Sequence, residues 1–410
     1  MSVIDNDPRV LAVRAPRSQC GGSFRLSQQS KVTHIEALQT GWTAELVTGS
    51  QQIVVRGPAA VDSYAEALDE AYATAQQALD VLTMRAIADF AIENADSANI
   101  VWWTAARALF IRVFCVSDMG MSVSSATATV TDADGNVLSF PEPPVVWHES
   151  LRYFRLAQVT SDLFDAYRNV YLGLEALLSD LVPQHLSAGK VNEGERAWLN
   201  RALQKVDSLL SLSSYAVAGS VDPVTDVLDD LYVGTRTALF HSKLGRPVLL
   251  PHSAIERTQV IDALERLSRL FLDLYSKHLG YVRPWGLVSN AAFELGTSYD
   301  AEAVVSDDRA PVSNADVVIN PSGGLLSRLT TNPAPDLSKP GIKYWLGEEP
   351  ATDLRSTLAT ISRVGLEHAG ALIQVDRLDD PLSLEGIDVL QVQQGVRLVN
   401  LRLPRYRFPT

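Results

Sequence analysis

The sequence predicts an α+β protein, with a central all-α four-helix bundle flanked by N-terminal and C-terminal β-rich regions. Short runs rich in β-branched residues fill residues 8–58 and 285–410. Between them, residues 149–280 carry four long segments whose apolar residues have helical spacing. The stiff stretch PEPP (141–144) marks the change from strand patterns to helical patterns. The 410 residues are enough for two or three domains, which we place at 1–145, 149–282 and 283–410.

The two flanking regions are predicted to consist mainly of strands. Before residue 60, brief strand patterns occur in VLAVRA, SFRLS, KVTHIEAL, WTAELVTG and QQIVVRG. Residues 61–94 predict one long helix or two, with Asp62 or Ser63 as N-cap and Glu66 placed for a capping box. Strand patterns return in NIVWWTAAR and ALFIRVFCV, and again near the C-terminus in GIKYWL, ALIQVDRL and GVRLVNLRLP. The sequence leaves open whether the two regions join in one sheet.

Four helices are predicted in the central region, at 149–183, 192–212, 222–243 and 253–280. The first carries an apolar stripe and ends at Pro183. The third begins with Asp222 as N-cap and Pro223 at the first helical position. The fourth begins at Ser253 and ends at Gly280. Amphipathic helices joined by modest loops are typical of a bundle.

Composition limits the classes of function. The formal net charge of −13 argues against a surface that binds duplex nucleic acid through many phosphate contacts. Two cysteines cannot form a disulfide framework, and they favour a reducing cytoplasm. The start MSVIDNDPRV lacks the features of a signal peptide, and no apolar run reaches the ~18 residues of a membrane span. The seven histidines are scattered without metal-ligand spacing, so we predict no metal site and no cofactor.

One pair of residues in the stretch VGTRTALFHSKLG stands out. Three arginine–histidine pairs have similar spacing, namely Arg236 with His241, Arg246 with His252, and Arg363 with His368. The second encloses two prolines and the third crosses a change of element, so neither has a fixed geometry. Only the first falls within one predicted helix, where its members lie roughly 140° apart around the axis. We expect their long side chains to converge on one groove at the helix end, particularly if a second subunit closes it.

The helical region resembles the HEPN superfamily, in particular its Apea-like and MauJ-like branch, in which a β-rich region also precedes the helices. The resemblance is carried by YRNVYLGLEALL (167–178), RTALFH (236–241) and the long fourth helix, and it covers 149–280, about a third of the chain. It implies metal-independent RNA cleavage, in which a 2′-hydroxyl attacks the adjacent phosphate. It also implies a homodimer whose two Arg–His pairs meet in one cleft. Many active members have Asn, Asp or His after the arginine, whereas this sequence has Thr237.

The two motif residues suit this chemistry. An unperturbed imidazole titrates near neutral pH, so His241 is a candidate general acid or base. Arg236 offers a fixed set of donors to a phosphate whose charge grows in the transition state. A simpler interpretation is that both cations offset the dipole at a helix C-terminus. The predicted catalytic residues are Arg236 and His241, and the predicted substrate-binding residues are Thr237, Glu175, Arg168, Asn169 and Tyr171.

We therefore predict a cytoplasmic, metal-independent HEPN-type endoribonuclease, with antiviral defence as its setting. Its partners would be RNA and a second copy of the chain, with a protein or nucleotide as trigger and no membrane. The alternatives are a non-catalytic HEPN protein that binds RNA, a nucleotide or a protein partner, and an accessory protein of a metabolic operon.

Overall fold

The computed structural model describes most of the chain. The described residues are 18–58, 60–93, 95, 97–119, 130–131, 137–138, 146–160, 162–187, 190–216, 219–240, 249, 254–280, 296–313, 315–334 and 342–398. They divide into two compact units. Unit 1 contains the described residues up to 119 and from 296 to 398, and unit 2 contains those from 130 to 280.

Strands and helices occur in blocks along the described chain. The described strands are β1 (Cys20–Arg25), β2 (His34–Ala37), β3 (Thr43–Leu46), β4 (Gln52–Gly57), β5 (Ala98–Ala105), β6 (Ala108–Met119), β7 (Val130–Thr131), β8 (Val137–Leu138), β9 (Leu186–Ser187), β10 (Lys190–Val191), β11 (Glu302–Ser306), β12 (Leu326–Arg328), β13 (Thr330–Pro333), β14 (Ile342–Pro350), β15 (Thr360–His368), β16 (Ala371–Ser383) and β17 (Val389–Leu398). The described α-helices are α1 (Tyr64–Met84), α2 (Ser150–Val159), α3 (Leu163–Leu181), α4 (Glu195–Leu209), α5 (Pro223–Leu228), α6 (Thr235–Phe240), α7 (Ala254–Leu279) and α8 (Ala351–Arg355).

Unit 1 is built on a nine-stranded mixed sheet. Its strand order is β13-β14-β17-β6-β5-β1-β4-β3-β2. Neighbouring strands are antiparallel, except that β17 runs parallel to β6. A second, four-stranded antiparallel sheet has the order β12-β11-β15-β16. The N-terminal and C-terminal β regions therefore form one sheet, joined through β6 and β17.

Both faces of the nine-stranded sheet are covered. Helix α1 packs on β1, β4 and β5, with small residues such as Ala67, Ala71 and Ala75 fully buried. A Cβ at Gly22 would lie only 2.9 Å from the Cβ of Ala71, so the helix approaches the sheet closely. The main apolar core of unit 1 includes side chains from both sheets: Trp102, Ile111, Val305, Val364, Leu382, Leu390 and Val392.

The helices of unit 2 bury one common core. It includes side chains from α2, α3, α4, α5 and α7: Phe154, Tyr167, Leu174, Trp198, Leu203, Val227, Leu264 and Phe271. The Asp222 carboxylate accepts a hydrogen bond from the amide of Thr225, with Pro223 first in α5, so the predicted cap is confirmed. In unit 1, Ser63 caps α1 in the same way. No helix within the described ranges is long and apolar enough to cross a bilayer.

The predicted fold class is wrong in its main feature. The chain is a mixed α+β protein dominated by the nine-stranded and four-stranded sheets, and it is not organised around a central all-α helical bundle with separate β flanks. The cause is long-range pairing, because local patterns identify strands but do not reveal that β17 pairs with β6. The predicted third helix, 222–243, is also interrupted. Over residues 223–240, the part of it that the structure describes, it consists of α5, a π-helical turn (Asp229–Val233), a break at Gly234, and α6.

Candidate functional site

Arg236, the predicted phosphate-binding residue, lies on α6 and already has a carboxylate partner. Its guanidinium forms an ion pair with Glu195, in the first turn of α4, at 2.7 Å. The same group lies over the rings of Tyr171 and Phe240, at 5.2 and 5.8 Å from their centroids. Only 21% of the Arg236 side chain is exposed. The positive charge is thus balanced by Glu195 and stacked on two aromatic rings.

A second carboxylate lies near this ion pair. Glu175 follows Tyr171 by one turn of α3 and is partly buried. Burial raises the pKa of Glu175, the negative charge of Glu195 raises it further, and Arg236 opposes both effects. Arg236 forms its ion pair with Glu195, and its positive charge also acts on Glu175. An incoming phosphate would have to displace Glu195 and approach Glu175, which like-charge repulsion disfavours.

The structure brings only some of the predicted site residues together. Tyr171 and Glu175 on α3 lie close to Arg236 on α6. Thr237 follows Arg236 on α6, whereas Arg168 is exposed and Asn169 partly exposed on α3. His241 lies outside the described residues, so its pairing with Arg236 stays a prediction.

Two members of this cluster were not predicted from the sequence. Glu195 is acidic and lies in the first turn of its helix, a position usually explained by the helix dipole alone. Phe240 follows Arg236 by four residues, which places the two side chains on the same side of α6. The spacing of Phe240 was therefore a usable signal, whereas the partner of Glu195 depends on how two helices cross.

The segment that carries Arg236 is held by further ion pairs. Two consecutive aspartates of the π-helical turn bind in different directions: Asp229 to Arg196 on α4, at 2.8 Å, and Asp230 to Arg266 on α7, at 2.9 Å. With the pair between Arg236 and α4, three ion pairs connect the segment to its neighbours. π-Helical turns inside helices often mark functional sites.

A pocket of about 410 Å³ lies beside the same segment. Its lining mixes apolar, polar and charged side chains: Asp230, Gly234, Thr235, Ala238, Leu249, Gln259, Asp262 and Arg266. This volume is within the usual range of about 300–1,000 Å³ for small-molecule sites. Arg236 is not part of the lining. The segment therefore has two different sides, one with the balanced arginine and one facing a cavity.

The strength of the ion pair between Arg236 and Glu195 is testable by a double-mutant cycle. We expect Arg236→Met and Glu195→Gln to be coupled by about 1 kcal/mol or more, because both groups are partly buried. The control cycle, Arg196→Met with Asp229→Asn, should give a coupling below about 0.5 kcal/mol, since both side chains are half exposed. Stability would be measured by urea denaturation followed by circular dichroism. Equal couplings in the two cycles would show that partial burial does not make the pair between Arg236 and Glu195 stronger than an exposed pair.

Comparison with protein-family models, with curated proteins and with solved structures found no match to this chain. The resemblance of the helical region to HEPN proteins therefore stays a prediction.

Proposed function

We propose that this chain is a non-catalytic binding protein and that the pocket of unit 2 is its ligand site. The observation that carries the proposal is the ion pair between Arg236 and Glu195. Electrostatic catalysis of phosphodiester cleavage requires donors that are ready to meet the charge developing on the phosphate. The Arg236 guanidinium is instead engaged by Glu195 at 2.7 Å, with Glu175 nearby.

Freeing Arg236 from its ion pair has an energetic cost. Releasing Arg236 for a phosphate would leave the Glu195 carboxylate partly buried without its partner. Breaking one side of a buried ion pair costs about 3–5 kcal/mol, and a partly buried pair costs a fraction of this. Such a cost would have to be recovered from RNA contacts on a chain with a net charge of −13. The contacts of Arg236 with Glu195 and Tyr171 instead hold α6 against α4 and α3.

The pocket has the features of a preformed ligand site. The pair between Asp230 and Arg266 holds one wall against another, and the amide of Leu249 donates to the carbonyl of Ala238 at 3.0 Å. Walls fixed in this way lower the ordering cost of binding. Apolar and polar groups both line the cavity. Such a mixed lining is typical of a site that binds a ligand in one orientation, and not of a simple packing defect.

The remaining predictions about partners belong to the ribonuclease hypothesis. RNA as substrate, a homodimer around two copies of His241, and a protein or nucleotide trigger all depend on a working Arg–His pair. The cytoplasmic location is proposed here as well, supported by two cysteines, Cys20 and Cys115, that are both buried and free.

An RNA cleavage assay tests the proposal directly. The full chain would be incubated with labelled single-stranded RNA in EDTA, beside His241→Ala and Arg236→Met variants and a metal-independent ribonuclease as positive control. We expect all three forms of this protein to leave the RNA intact. Cleavage by the wild type that disappears in His241→Ala would contradict the proposal and support the ribonuclease hypothesis. Analytical ultracentrifugation of the same samples would show whether the chain is a homodimer.

A further inference from the structure

Resting on the binding function proposed above, we infer that the pocket of unit 2 takes a small organic cation, an amine or guanidinium on a short aliphatic stem, with the carboxylate of Asp262 as its main contact.

The charged side chains that line the pocket favour a cationic ligand. Asp230 and Arg266 neutralise each other in an ion pair at 2.9 Å. Arg266 lies one turn beyond Asp262 on α7, yet it donates to Asp230 instead. Within the described part of the chain, Asp262 has no ion-pair partner, and it is exposed to the cavity. Among the described lining residues, Asp262 is therefore the one charged group without a compensating partner, which favours a cationic ligand.

The other lining groups define the shape of that ligand. Ala238 and Leu249 supply apolar surface, which suits methylene groups. Gln259 lies on α7 one turn before Asp262, and its exposed amide offers an acceptor to a second N–H donor. Across the cavity, the Thr235 hydroxyl donates to Asp230 at 3.4 Å and supports that wall. A cationic head at Asp262 with a stem along Ala238 and Leu249 satisfies both kinds of surface.

The alternative ligand class is an anion such as a nucleotide. The cationic group described in the lining, Arg266, is already neutralised by Asp230, and an incoming phosphate would meet Asp262. The net charge of −13 on the chain repels anions at long range and attracts cations. Both the local and the global field therefore favour the cation.

Calorimetric titration of the full chain with four matched probes tests the inference. Putrescine is a four-carbon diamine, agmatine adds a guanidinium, 1,4-butanediol is a neutral analogue of putrescine, and succinate is a four-carbon dianion. We expect putrescine or agmatine to bind at one site per chain, with affinity that falls as salt rises. The diol and succinate should show no binding. Absence of binding by both cations would overturn the inference.

Three variants locate the site. Asp262→Asn keeps the shape of the side chain and should weaken cation binding about tenfold, since a hydrogen bond to a charged group is lost. Gln259→Lys adds a positive charge at an exposed lining position and should also weaken binding. Asp80→Asn removes an exposed carboxylate from α1 in unit 1 and should leave the affinity unchanged.

The outcomes separate this inference from the function on which it rests. Equal affinity in Asp262→Asn and the wild type would reject the assigned contact. Absence of cation binding by a chain that also leaves RNA intact would reject the ligand class alone. Cleavage of RNA that depends on His241 would reject the non-catalytic function, whatever the calorimetry shows.

Discussion

Replacement of Arg363 by methionine is expected to lower the free energy of unfolding by about 3–5 kcal/mol. Arg363 lies on β15, and its side chain is 0% exposed. Its guanidinium donates to the carbonyls of Ala310, Pro311 and Ile319 and forms an ion pair with Asp316 at 3.1 Å. Methionine fills part of the volume but leaves Asp316 and the buried carbonyl of Ile319 without this donor.

A matched arginine on the same sheet serves as control. Arg328 on β12 pairs with Glu367 at 2.9 Å, but half of its side chain is exposed. We expect Arg328→Met to change stability by less than about 1 kcal/mol. Urea denaturation followed by circular dichroism measures both variants, and hydrogen exchange resolved to peptides 307–325 would show the loosened segment in Arg363→Met. Similar losses in the two variants would show that burial of Arg363 does not govern its contribution.

Replacement of Gly21 by alanine is expected to destabilise the protein by about 3 kcal/mol or more, at the upper end of overpacking effects. A Cβ at this position on β1 would lie 2.2 Å from Cζ2 of Trp102 and 2.3 Å from the carbonyl oxygen of Val55. Neither obstacle moves easily. Trp102 is fully buried and donates its indole N–H to Ser18 at 3.1 Å, and Val55 is paired within β4.

The same change at an open position controls for the chemistry of the substitution. Among the described residues, a Cβ at Gly296 would meet nothing within 4 Å. We expect Gly296→Ala to alter stability by less than about 0.5 kcal/mol. Soluble yield and the urea midpoint provide the comparison. A Gly21→Ala variant as stable as Gly296→Ala would mean that β1 and β5 separate at little cost.

The local features of this fold were largely predictable. The capping residues Ser63 and Asp222 act over three residues, so their neighbours in sequence are also their partners. Strands β5 and β6 follow from dense apolar, β-branched and aromatic runs. Sheet order was not predictable, because a strand pattern shows which side chains are buried but not which strand lies alongside.

The candidate site was predictable only in part, and the π-helical turn explains much of the difference. The expected angle between Arg236 and His241 assumed one continuous helix over 222–243. The π-helical turn at Asp229–Val233 and the break at Gly234 reset the rotation of α6 relative to α5. The direction in which Arg236 points then depends on these irregular residues. Its ion pair with Glu195 depends in addition on how α4 and α6 meet, which no local pattern contains.

Because β17 pairs with β6, this edge of β6 stays without its neighbour on the ribosome until β17 has been synthesised. Arg112 of β6 and Gln391 of β17 are joined by a hydrogen bond although they are 279 residues apart. At about 5–20 residues per second, translation leaves the inner edge of β6 without its neighbour for tens of seconds. An open edge of this kind is a template for association with other nascent chains. The helices of unit 2 emerge during this interval, and this edge of β6 stays unpaired until β17 is made.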